Sequence, residues 1–191
     1  SLMTGIITYS SIRSSRHTQK ATSIPVPNRV DFPASSVREL DIEWISGDIR
    51  IYPGNTDRIT VSEGGDDSGK YTTVIRQDED SLEIRFSDRD IHVIGLGSIL
   101  DKDLTITVPA DWYCRSLEIE TASATVDVRD MTIGEVDFSG ASGACTFENC
   151  TVEKMDIGTA SGDVRFAGSL NVLDCDAASA KVNAVLNNVP S

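Results

Sequence analysis

The sequence predicts an all-β, single-domain fold: a right-handed parallel β-solenoid of about 19 residues per coil, with irregular hairpin excursions in its first half. Three observations predict it. Four stretches are near copies: LEIETASATVDV from Leu117, VDFSGASGACTF from Val136, MDIGTASGDVRF from Met155 and LDCDAASAKVNA from Leu173. Their Ala-Ser pairs, at Ala122, Ala141, Ala160 and Ala178, recur at intervals of 19, 19 and 18 residues. Each copy alternates apolar and polar residues with a period of two, and no stretch of the chain reads as a helix.

Taken in order, residues 1–35 read as a basic arm or linker and residues 36–191 as the domain. The arm is rich in Ser, Thr, Pro and Arg, a composition with little capacity to form a core. Leu40 to Ile51 (LDIEWISGDIRI) aligns without gaps on Met155 to Phe166 and is a first coil in the same phase. Strand-like runs follow at Ile59–Val61, Tyr71–Arg76, Leu82–Phe86, Ile91–Ile94 and Leu104–Val108, separated by turn-rich segments such as Glu63–Lys70. These are expected to form hairpins, some of them antiparallel. Pro109 stops the last run, because proline cannot continue a hydrogen-bonded ladder. Asp111-Trp112-Tyr113 then lead into the regular coils.

Within a regular coil, the first strand points Leu117 and Ile119, Val136 and Phe138, Met155 and Ile157, or Leu173 and Cys175 to one face. The second strand does the same with Val126 and Val128, Cys145 and Phe147, Val164 and Phe166, or Val182 and Ala184. Stacked in parallel about 4.8 Å apart, equivalent residues form interior columns. Each buried Val, Phe or Ile then contributes about 1.5–3 kcal/mol. Glu118, Asp137, Asp156 and Asp174 fall on the opposite face and form an outer ladder of like charge. Divalent cations or high ionic strength are expected to relieve it.

Charge divides the chain. Residues 1–30 carry Arg13, Arg16, Lys20 and Arg29 and no acid; the rest carries 13 basic and 30 acidic residues, so +4 precedes −17 and the sum is −13. So acidic a body repels phosphate backbones and anionic membrane surfaces, which argues against nucleic acid as a partner. No segment is long and apolar enough to span a bilayer. Leu2 to Ile12 is apolar at its start, and could be the remainder of a longer hydrophobic segment. On that reading an upstream membrane anchor precedes an extracytoplasmic domain.

No catalytic, cofactor-binding or metal-binding residues are expected. Cys114, Cys145, Cys150 and Cys175 lack CxxC spacing, and Cys145 and Cys175 read as small buried hydrophobes. Asp48 and Asp163 of the Ser-Gly-Asp turns offer hard oxygen ligands, yet two coils lack both the glycine and the aspartate, so the motif reads as turn geometry. The acid pairs Asp88 with Asp90 and Asp101 with Asp103 flank Gly95–Ser98 and read as solvated loop charge. His17 and His92 have no nucleophile partner by motif, and Gly95-Leu96-Gly97 opens no helix.

The turns Ser46-Gly47-Asp48-Ile49, Ser142-Gly143 and Ser161-Gly162-Asp163-Val164, with the strand Leu104–Pro109, carry a resemblance. From Leu40 to Asn188 the chain resembles the bacterial putative-adhesin family of β-solenoid domains, a family of unknown function. Ala124 and Ala180 depart from its turn glycine, as Thr125 and Lys181 do from its aspartate. The resemblance implies a non-catalytic surface or envelope module without cofactors, extracytoplasmic or membrane-anchored, that meets a protein or glycan partner. Two alternatives accompany it: an envelope scaffold that self-assembles through exposed solenoid ends, and a carbohydrate-active β-helix enzyme. The second lacks a cluster of bases and carboxylates. For the C-terminal edge, the expectation is either an end-to-end dimer or a cover supplied by the N-terminal arm.

Overall fold

A computed structural model describes residues 22–24, 29–65, 71–88 and 101–187. They form one sheet of fourteen strands with no α-helix among them; a single 3-10 turn spans Ala34–Ser36. The strands are β1 (Thr22–Ile24), β2 (Arg29–Pro33), β3 (Glu39–Trp44), β4 (Asp48–Gly54), β5 (Arg58–Gly64), β6 (Thr73–Asp78) and β7 (Ser81–Arg85). After them come β8 (Asp103–Pro109), β9 (Tyr113–Thr121), β10 (Thr125–Arg129), β11 (Thr132–Gly140), β12 (Cys145–Ser161), β13 (Val164–Ser179) and β14 (Val182–Leu186). The sheet reaches back into the segment read as arm, since β2 lies antiparallel on β5 and β1 on β6.

The repeats pair in parallel and in phase. Val126 faces Cys145, Cys145 faces Val164, and Val164 faces Val182. Leu117 faces Val136, Val136 faces Met155, and Met155 faces Leu173. The first coil joins the same stack, with Leu40 opposite Leu117 and Ile49 opposite Val126. Ile49, Val126, Cys145 and Val164 are all at most 1% exposed, so this interior column is dry until its last member. Phe147 and Phe166 stack within the next column, their ring centroids 6.3 Å apart and tilted by 31°.

Each coil has a third inward stretch that the two-strand reading passed over. Cys114, Ile133, Val152 and Leu170 pair in register and are buried. This stretch lies at the ends of β9 and β11 and inside the long β12 and β13. Its corner is turned by Asp130 (φ 55°) and Asn149 (φ 52°), and Asn149 Nδ2 donates to Asp130 Oδ1 at 2.6 Å. Asn and Asp tolerate the left-handed region better than other side chains, which suits them to this column.

The Ser-Gly turn is set by space as well as by φ. Gly162 sits at φ +109°, and a Cβ there would lie 2.0 Å from the carbonyl oxygen of Gly143 in the coil below. Gly47 meets the same limit against the Lys102 carbonyl. At these two positions close coil stacking demands glycine, whereas Ala124 and Ala180 hold the equivalent position in other coils.

Excursions leave from β4. Of the runs expected there, those at Ile59, Tyr71, Leu82 and Leu104 correspond to β5, β6, β7 and β8; Ile91–Ile94 lies outside the described residues. β5 with β8 and β6 with β7 are antiparallel pairs. Two of these strands return to the stack on the far side of the first coil: Leu82 pairs with Leu40 and Leu104 with Ile49. Coil order in space thus departs from order in sequence.

At the other end, Cys175 occupies an interior column but is exposed, contrary to the expectation of a buried thiol, because no strand among the described residues lies beyond β13 and β14 to cover it. Cys114, Cys145 and Cys150 are buried.

Candidate functional site

The outer ladder is longer than expected. Register places Glu83, Asp41, Glu118, Asp137, Asp156 and Asp174 side by side across β7, β3, β9, β11, β12 and β13. Strand alternation turns these carboxylates outward while Leu40, Leu117, Val136 and Met155 on the same strands are buried. Flanking positions add Glu43 and Glu120 on one side and Glu39 and Glu135 on the other. Glu83 was invisible as a ladder member in the sequence, because only spatial order brings β7 beside β3, whereas Asp41 follows from the alignment of the first coil on Asp156.

Cations are spaced along the face. Arg85 pairs with Glu83 and, at 3.5 Å, with Glu43; Arg115 lies 2.8 Å from Glu39 and 2.9 Å from Asp80. Lys154 lies 2.7 Å from Asp156 and 3.1 Å from Glu135. Hydrogen bonds from its ammonium to Asp156, then to Glu135, raise its pKa. Around it, a shallow depression of about 450 Å³ is lined by Asp137, Lys154, Asp156, Asp174 and Asp176.

The carboxylates between these cations hold their protons more tightly than usual. Burial, then Glu83, push the Asp41 pKa upward against the pull of Arg85. Burial followed by the Asp41 and Asp137 charges raises that of Glu118. For Asp137 the causes are burial and then Asp156 and Glu135, with Lys154 acting in the opposite sense. Such a row favours any cation that approaches along it.

Among the described residues, no group of three or more His, Cys, Asp or Glu side chains is arranged to hold a metal ion. Asp48 pairs with Arg50 at 2.5 Å, its backbone N–H donates to Asp103 Oδ1, and Asp163 is exposed on its turn. Burial pushes the Cys114 thiol up to about 12 and Cys150 up to about 11, so neither forms a thiolate nucleophile near neutrality. His17, His92, Asp90 and the Gly95–Ser98 loop lie outside the described residues.

One ionisable cluster escaped the sequence reading. Lys102 is fully buried, and its ammonium lies 3.2 Å from Glu63 Oε2. It also donates to Thr73 Oγ1 at 2.7 Å and to the carbonyls of Phe86 at 2.8 Å and Tyr71 at 3.1 Å. The Phe86 and Trp44 rings lie 4.5 and 5.2 Å from it. In sequence, Lys102 stands between two aspartates and looks like solvated loop charge; nothing local signals its burial. With both side chains 1% exposed, the pair is closed to ligands and acts as a structural clamp.

Residues 37–184 match the family model described as Toastrack DUF4097. A crystal structure of a putative cell adhesion protein from Clostridium sporogenes is similar in fold, with a TM-score of 0.53, 8% identity, and coverage of 84% of this chain and all of that one. A putative adhesin from Bacteroides fragilis matches at TM-score 0.29 and 9% identity over 84% of this chain and 99% of its own. One from Parabacteroides distasonis matches at 0.28 and 12% over 88% and 98%. No curated protein matches.

Proposed function

The chain belongs to the Toastrack DUF4097 family, and from that membership we propose that it is a non-catalytic cell-envelope or cell-surface module. Its working surface is the acidic wall, which meets a cationic protein or glycan. The observation that carries this reading is the ladder from Glu83 to Asp174, six carboxylates in register on a rigid sheet. Underlying it is a right-handed parallel solenoid, a hand favoured by the crossover rule. Its coil of about 19 residues is supported by parallel partners such as Val126 and Cys145 and by the recurrence of the Ala-Ser phase. The similar structure described as a putative cell adhesion protein agrees with a surface setting. No helix among the described residues is long and apolar enough to cross a membrane.

The test is binding of a fluorescent oligolysine and of a chitosan oligomer to the full chain at two salt concentrations. Binding is expected to weaken steeply with salt and to fall about tenfold in D137N/D156N, which removes two adjacent ladder charges. Equal affinity of that variant and the parent chain would place the partner surface elsewhere.

A further inference from the structure

The C-terminal end of the stack is an unfinished core. Met155, Ile157, Val164 and Phe166 are 0 to 4% exposed in the preceding coil, whereas Leu173 is 41% exposed and Leu186 43%, with Cys175 and Ala184 exposed beside them. Two outer positions of this coil are apolar as well. Val172 stands in register with Lys154 and is 53% exposed; Val185, 65% exposed, follows Ala167 and Glu148 in its column. Among the described residues, two strand edges beside the patch pair with no further strand, that of β14 and that of β13 from Leu173 to Ser179. Exposed apolar surface flanked by unpaired backbone is a site for an added strand.

We propose that the occupant is the chain's own N-terminal segment, Leu2–Tyr9, docked on this end in cis. Length permits it. β1 lies seven strand positions from β13 along the wall, through β6, β7, β3, β9, β11 and β12. At about 4.8 Å per position that is about 34 Å. Residues 10–21, extended at about 3.3 Å each, span about 40 Å, which leaves Leu2–Tyr9 free to reach the edge. Composition suits it: LMTGIITY carries no charge and supplies Leu2, Met3, Ile6 and Ile7 for an apolar surface. Charge suits it further. The tether bears Arg13, Arg16 and Lys20 and no acid, and its route follows the ladder from Glu83 to Asp174. A second copy is the poorer occupant. It would bring another Asp174 and Asp176 to the same edge, on bodies that each carry −17.

Cys175 reports on the docking, since it is exposed on this end while Cys114, Cys145 and Cys150 are buried. Its rate of modification by a chromogenic disulfide reagent is measured in the native full chain and in I6D/I7D and R13Q/R16Q/K20Q. The paired substitution in the segment is expected to raise the rate about tenfold, and the tether substitution to raise it less and to remove its salt dependence. Hydrogen exchange over Leu173–Ser179 and Val182–Leu186 should lose protection in parallel. Identical rates in all three proteins would overturn the proposal. A Cys175 rate that falls with protein concentration, with a dimer by light scattering, would overturn docking in cis in favour of a second copy.

Discussion

Replacing Lys102 with methionine tests whether the excursion strands are clamped to the core by one ammonium group. Its Nζ serves Glu63 on β5, Thr73 on β6 and the carbonyls of Tyr71 and Phe86, so three separate segments converge on a single atom. Methionine keeps the volume and the contact with Phe86 and Trp44 but leaves the Glu63 carboxylate buried without its counter-charge. Glu63 Oε1 already has no hydrogen-bond partner. Loss of one member of a buried pair costs about 3–5 kcal/mol. In a domain of this size each kcal/mol moves the midpoint about 2–4 °C, so Tm should fall by about 6–20 °C. Thermal unfolding followed by circular dichroism and urea titration would measure it. Adding Glu63→Leu removes the stranded charge and should recover part of the loss, with a coupling of about 1 kcal/mol or more in the double-mutant cycle. A loss under about 1 kcal/mol for K102M, or strict additivity of the two substitutions, would refute the clamp.

Further expectations follow from the ladder and the turns. Asp41, Glu118 and Asp137 have raised folded-state pKa values, so their stabilising effect is complete below the unfolded carboxylate range and is lost as pH rises through the folded values. Tm at low salt should therefore climb as pH falls from 7 towards about 4.5, and D41N/E118Q/D137N should flatten that climb; a steady fall over the same window would contradict it. Below that window Asp31, whose pKa is lowered chiefly by its hydrogen bond from Thr60, loses its contribution and opposes the trend. Gly162→Ala should cost at least about 1–3 kcal/mol in urea titration, because it places a Cβ against the Gly143 carbonyl at a φ that disfavours L residues. An unchanged midpoint would mean that the coils can separate locally.

Much of the solenoid part was legible because a parallel stack repeats the same physical demand at each level. Val126, Cys145, Val164 and Val182 share a phase in sequence and a column in space. The outer acids followed from the same alternation. The third inward stretch was missed because its members, such as Cys114 and Ile133, are brief and interrupted by polar residues and by the left-handed corner at Asp130.

By itself, then, the sequence determined the period, the parallel phase and which faces are apolar, since these depend only on local alternation and repetition. Tertiary structure alone decided that β7 and β8 stack on the far side of the first coil, which extends the ladder past Asp41 to Glu83. It also decided that Lys102 is buried and Cys175 exposed. The physical reason is common to all three: each depends on which strand lies beside which, and long-range adjacency leaves no periodic trace in the chain.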